Sequence, residues 1–298
     1  MRAIAAGMGL GMLLAGASAW TQSPQSQTVA STQPMAATTT PDYSAVYCSD
    51  FVTSALGGED SRLISGEESD SRVVFTQGNN VYISKGSAQG VHVGDRYSVF
   101  RPERDVVDVP WFKWQTKLTK AMGVFYQDSG QVQVVNVQPN VSIAQVTFTC
   151  NPLQRGDLVR PWQERPLPPY KPAEKFDRFA PVSGKSVGML VFGKDFGQMY
   201  GKLQTVYVNL GTNQGVHVGD YMRVFRYQGG KSQTAPNFDD NQYRMYGFGS
   251  TPTAYQWNEL PREILGEGII LSVSPNSSTL FITYSRIEMY AGDYAEIE

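Results

Sequence analysis

The sequence predicts an all-β protein built as two tandem small barrel- or sandwich-like modules that arose by internal duplication and are joined by a proline-rich linker. Three observations predict it: a long internal repeat, glycine–aspartate turns at matching places in both copies, and a composition rich in glycine and aromatics but poor in charge.

Residues 81–101 (VYISKGSAQGVHVGDRYSVFR) match residues 206–226 (VYVNLGTNQGVHVGDYMRVFR) at 13 of 21 positions. The repeat continues more weakly, pairing Val137-Gln138-Pro139-Asn140 with Val273-Ser274-Pro275-Asn276, and Gly156-Asp157 with Gly292-Asp293. Two copies are too few for a solenoid, whose units bury their faces only by stacking, so a duplicated domain is expected.

The turns come second. Gly86–Gly90 reads as a tight turn between strands. Gly94-Asp95 reads as another, because glycine supplies positive φ and aspartate bonds its own backbone. The repeat turn motif is Gly90, His92, Gly94 and Asp95, with Gly215, His217, Gly219 and Asp220 in the second copy. In Val-His-Val, alternation predicts both valines inward and histidine outward. Strands are expected at 81–84 and 97–100, and a hairpin around Pro139-Asn140, where Gln131–Val134 and Ser142–Thr147 alternate. Each copy ends on Gly-Asp and a closing strand. Pro110–Met122 has room for one short helix.

Composition is third. The 298 residues include 29 glycines and 12% aromatics, with only 17% charged residues and a net charge of -2. Strands favour aromatic and β-branched side chains. A near-neutral chain lacks the basic field that nucleic acid requires, so no nucleic-acid partner is expected.

The N-terminus sets the expected compartment. Arg2, an apolar stretch to Ala15 and Ala17-Ser18-Ala19 read as a secretory signal over 1–19. A retained anchor is the alternative, but the run is short for a span, so no transmembrane segment is expected in the mature chain. Residues 20–42 are Ser, Thr, Gln and Pro with few large apolar groups, the composition of a disordered tether. The first module is expected over 43–160, a linker with six prolines over 161–185, and the second module over 186–298. Cys48 and Cys150 are the only cysteines. In an exported chain they most simply form a disulfide, contributing roughly 3–4 kcal/mol; two buried thiols are the alternative.

Chemistry-bearing constellations are sparse. His92 with Asp95 and His217 with Asp220 offer too few donors for a metal site, and a turn bearing a surface imidazole explains them better. No serine-nucleophile, zinc-protease or phosphate-loop motif is present, and no cofactor is expected. The loop between the first strands and the hairpin is lengthened in both copies and carries aromatics: Trp111, Phe112 and Trp114 in the first, Tyr246, Phe248, Tyr255 and Trp257 in the second. Aromatic faces with polar tips suit protein interfaces and sugar rings. The alternative is that they cap a barrel or pack one module on the other.

The pattern V-Y-x-x-x-G-x-x-x-G-V-x-V-G-D-x-x-x-V-F-R with its closing Gly-Asp strand resembles the C-terminal β domain of the flagellar assembly protein T family, and exported Gly-Asp repeat proteins of envelope-bearing bacteria. The resemblance rests on Gly86, Gly90, Val91, Val93, Gly94, Asp95 and Val99 and their partners Gly211, Gly215, Val216, Val218, Gly219, Asp220 and Val224. It implies the barrel-like fold and a periplasmic or outer-surface location. This chain departs by carrying two copies and no match to that family's N-terminal domains, so a flagellar role does not follow. The expected function is a non-enzymatic exported envelope protein that binds or scaffolds other envelope proteins. A peptidoglycan- or glycan-binding module is the second reading, and a metal-dependent hydrolase around His92 or His217 the third.

Overall fold

The computed structural model describes residues 39–54, 56, 61–103, 108–172, 176–228, 243–244, 254–255 and 261–298. The expected signal at 1–19 and the expected tether up to residue 38 lie outside the described residues, as do Tyr246, Phe248 and Trp257.

In chain order, the first half contains α1 (Tyr43–Tyr47), β1 (Phe51–Thr53), β2 (Ser61–Gly66), β3 (Val74–Phe75), β4 (Asn80–Ile83), β5 (Arg96–Glu103), α2 (Gln115–Met122), β6 (Val124–Val137), β7 (Ser142–Thr149), β8 (Leu153–Gln154) and β9 (Leu158–Pro161). The second half contains β10 (Val187–Gly193), β11 (Met199–Tyr200), β12 (Thr205–Val208), β13 (Tyr221–Arg226), β14 (Tyr243–Arg244), β15 (Ala254–Tyr255), β16 (Glu263–Ser274), β17 (Ser277–Ser285), β18 (Met289–Tyr290) and β19 (Tyr294–Ile297).

Both halves form closed six-stranded barrels. The first runs β6-β5-β9-β2-β4-β7 and returns to β6; the second runs β10-β12-β17-β16-β13-β19 and returns to β10. Closure removes the unpaired edges an open sheet would expose. The duplication extends beyond the repeat read from sequence. The small ribbon β3–β8 of the first barrel recurs as β11–β18 in the second. Inward residues alternate along the strands, as with Val81 and Ile83 on β4, and fill the first barrel with Leu63, Phe75, Val99, Val132 and Val146.

The repeat's glycines and aspartates set these bends. Gly94 and Gly219 adopt φ of 94° and 92°, a left-handed conformation that glycine tolerates best. The following aspartate closes each turn: His92 N–H donates to Asp95 Oδ2 and His217 N–H to Asp220 Oδ2, both at 2.8 Å. One expectation is corrected here. Only the first valine of each Val-His-Val is inside, with Val91 4% and Val216 0% exposed, whereas Val93 is 66% and Val218 38% exposed. The chain turns after the histidine, so strand alternation does not apply.

The closing Gly-Asp has a different task. Asp157 is buried and accepts Arg101 Nε and Nη2 at 2.7 and 3.0 Å; Asp293 accepts Arg226 Nε and Nη2, both at 2.7 Å. The last arginine of V-F-R and the aspartate of the closing turn are thus one bidentate pair, formed once per barrel.

The barrels are interlocked. Residues Thr38–Glu298 form one compact unit. The Cys48–Cys150 disulfide is formed, with Cα atoms 5.4 Å apart, and ties the α1–β1 strap to the end of β7. β1 pairs with β6 of the first barrel, while its Val52 carbonyl accepts Ser277 Oγ of the second at 2.7 Å. Val46 and Tyr47 of α1 pack on Ile269, Leu271 and Phe281 of the second barrel. The proline-rich stretch has no helix or strand among its described residues 162–172 and 176–185, but it does not hang free. Trp162 N–H donates to Arg96 O at 2.9 Å, and Lys171 bridges Glu267 and Glu298 at 2.6 and 2.8 Å.

The loop between β5 and β6 also crosses over. Val109 and Phe112 lie in the core of the second barrel with Leu190, Tyr200 and Met289, and Gln115 Nε2 donates to Val191 O at 2.8 Å. The first copy's insertion therefore caps the second copy's barrel.

Candidate functional site

The sequence-derived candidates are placed as follows. Phe112 is buried in the second barrel, which removes it from the set of binding aromatics. Trp111 is half-buried; its Nε1–H donates to Ala291 O at 3.1 Å and its ring meets Tyr290 edge-on. Both belong to the cap: Phe112 enters the second barrel's core while Trp111 packs against it and bonds its backbone. Trp114 is 59% exposed, with Lys117 Nζ 5.9 Å from its ring centroid. Tyr255 lies on β15, which pairs with β14 through Tyr243. His92 and His217 are exposed, and their Nδ1 atoms lie 4.0 and 3.6 Å from Asp95 and Asp220. They stand on different barrels, and among the described residues no group of three or more His, Cys, Asp or Glu is placed to hold a metal.

A feature that sequence reasoning missed lies between the barrels. A cleft of about 610 Å³ opens there, within the 300–1,000 Å³ range of ligand-binding clefts. One wall is the outside of the first barrel: Ser98 and Phe100 on β5, Arg160 and Pro161 on β9, and Phe51 on the strap. The facing wall is Leu271–Ser274 of β16 with Val218 of the repeat turn; Gln163–Pro166 of the linker also lines it. The second valine of the turn motif is thus used here, in one copy only. The walls are mainly apolar, and Lys85, Arg160 and Arg165 bring positive charge against Glu164.

Arg165 connects the cleft to a buried polar centre. Its Nη2 and Nη1 bond Asp128 Oδ1 and Oδ2 at 2.7 and 2.8 Å. Asp128 and Asp50 exchange backbone-to-carboxylate hydrogen bonds: Asp50 N–H donates to Asp128 Oδ2 at 2.9 Å, and Asp128 N–H to Asp50 Oδ1 at 2.8 Å. From the second barrel, Tyr207 Oη–H donates to Ser49 O at 3.1 Å, and Lys194 Nζ stands 3.9 Å from Asp50 Oδ2 and also donates to Cys48 O. Strap, linker and both barrels meet at these groups. Burial pushes the Asp50 carboxyl up to about 7; Lys194 pulls it down and Asp128 pushes it further up. Burial likewise holds the Tyr207 phenol well above its usual range.

A carboxyl raised on folding binds its proton more tightly in the folded chain than in the unfolded one. Its stabilising contribution is full below about pH 4 and is lost as pH rises through about 7. Asp50→Asn keeps an acceptor for Asp128 N–H and cannot ionise. Urea unfolding across pH 4–8 is expected to show wild type losing stability relative to this variant as pH rises, by an amount on the order of a few kcal/mol. Parallel curves for the two chains would contradict the assignment.

No protein-family model matches the chain, and no curated protein matches it.

Proposed function

We propose that this chain is a non-enzymatic exported envelope protein that binds other envelope proteins and holds them in an assembly outside the cytoplasm. The observation that carries the reading is the inter-barrel cleft. It pairs apolar walls with a few directed charged groups, Arg160, Glu164 and the Asp128-paired Arg165, and it is framed by elements fastened by a disulfide and by the Arg165–Asp128 ion pair. Such a surface meets the requirements of protein recognition, an apolar centre with a few directed polar groups. The disulfide fits an oxidising compartment, and so does the expected signal at 1–19. No helix among the described residues is long and apolar enough to cross a membrane.

The exposed Trp114 supports the second reading, in which an aromatic face stacks on peptidoglycan or another glycan.

One experiment weighs both. The full chain, its Val218→Glu variant and its Val93→Glu variant are immobilised and exposed to envelope extract and to purified cell wall. Val218 lines the cleft, whereas its counterpart Val93 does not. Both are exposed, so neither substitution disturbs a core. The proposal expects discrete proteins retained by wild type and Val93→Glu and lost with Val218→Glu. Cell-wall binding abolished by Trp114→Ala, without protein retention, would replace it with the glycan reading.

A further inference from the structure

The duplication supplies an internal comparison for the cleft. β9 and β19 occupy the same place in the two barrels: Val99 pairs with Val159 as Val224 pairs with Ala295, and Ser98 with Arg160 as Arg223 with Glu296. Arg160 therefore corresponds to Glu296, and Phe100 beside it to Phe225.

In the second barrel this outer face is covered by the chain itself, residues 178–183, in a stretch with no helix or strand. Ile264 N–H donates to Arg178 O at 2.9 Å, and Ala180 packs on Phe225. Glu296 is 0% exposed and fully engaged. It takes Arg262 through both oxygens at 2.6 and 2.8 Å and Ser183 N–H at 3.4 Å, while Arg262 also donates to Ala180 O and Pro181 O.

In the first barrel the strap covers only part of the matching face. Phe51 rests on Phe100, and the rest is the cleft. Among the described residues no carboxylate, Glu164 of the same cleft included, forms an ion pair with Arg160. Its guanidinium stands 5.8 Å from the Phe100 ring centroid, and its Nη2 is buried without a hydrogen-bond partner. By contrast Arg101, Arg165, Arg226 and Arg262 each hold a carboxylate. A buried donor left unpaired costs about 1–3 kcal/mol, more when charged.

Resting on the protein-binding reading above, we infer that the cleft takes an extended polypeptide segment of a partner, seated beside the Phe51-covered Phe100 much as residues 178–183 lie on the matching face of the second barrel, with an Asp or Glu side chain pairing with Arg160. Where the second barrel carries a completed pair, the first presents only its cationic half. The apolar wall formed by Phe51, Val218 and Leu271 accepts the neighbouring side chains of that segment.

The test is selection of random heptapeptides displayed on phage against the full wild-type chain, followed by titration of the recovered peptides as capped synthetic probes. The inference expects recovered sequences to share an acidic residue beside apolar or proline positions. Affinity is expected to fall at least tenfold when that residue becomes its amide, and equally for Arg160→Gln, with Arg160→Lys keeping part of it. Unfolding midpoints matching wild type establish that the variants are folded. Acid-independent peptides, peptides indifferent to Arg160→Gln, or no enrichment would each overturn it. So would equal, Arg160-dependent binding of hexanoate, which would make the occupant a small amphiphile. If Arg160→Gln still retains envelope proteins, this inference fails while the scaffolding proposal stands; if selection succeeds but no envelope protein is retained, the reverse holds.

Discussion

Replacing Phe112 by alanine is expected to cost about 3–5 kcal/mol of stability, the usual toll of emptying a fully buried phenylalanine site. The residue comes from the loop between β5 and β6 of the first copy, yet its side chain lies among Leu190, Tyr200 and Met289 of the second. The loss therefore falls on a barrel to which Phe112 does not belong. Backbone-resolved hydrogen exchange is expected to show faster opening of β10 and β12 in Phe112→Ala and, because the two barrels open together, of β4 as well. Trp114→Ala, two residues on but exposed, is expected to change stability by less than about 0.5 kcal/mol. Equal small losses for both would show that the cap does not close the second barrel.

The second large effect is expected at Arg226. Its guanidinium holds both oxygens of Asp293, which is 1% exposed and also accepts Tyr290 N–H at 2.7 Å. Burial already holds the Asp293 carboxyl above its ordinary range, against the pull of Arg226. Arg226→Met fills the space but leaves a buried charge without its partner, a loss of about 3–5 kcal/mol near neutral pH. The sign of the pH dependence follows. Without Arg226 the carboxyl rises further, so the variant regains stability as pH falls and Asp293 takes up a proton. Adding Asp293→Asn is expected to recover part of the loss, since the pair acts as a unit. A pH-independent deficit in chemical unfolding would mean that Arg226 acts by packing alone.

Much of the fold is legible in the sequence because its determinants are local. Gly94-Asp95 and Gly219-Asp220 dictate turns whatever surrounds them. The match of residues 81–101 to 206–226 at 13 of 21 positions requires two like modules. The short helix expected within Pro110–Met122 is α2. The matching of β3–β8 with β11–β18 was not legible, because Phe75 and Tyr200 preserve only bulk across the copies.

The candidate site was much less legible. Trp111, Phe112 and Trp114 form one aromatic run in the sequence, but which of them face a barrel depends on docking against residues some 80–180 positions away. Asp50 looks like an ordinary polar residue after Cys48-Ser49; its burial comes from four segments converging. Arg160 reads as the last residue of the first module, at the edge of the linker. A signal for it existed: aligning the copies through their closing Gly-Asp sets Arg160 against Glu296, a reversal of charge at equivalent positions of the two closing strands.

Strap, disulfide and exchanged cap fasten the two barrels into one cooperative body. Native-state hydrogen exchange under increasing urea measures this cooperativity directly at the equivalent strands β4 and β12. The account predicts that amides on both strands open with the same free energy and the same urea dependence. Separate opening energies for the two strands, each with a smaller urea dependence than global unfolding, would show two independent modules and contradict it.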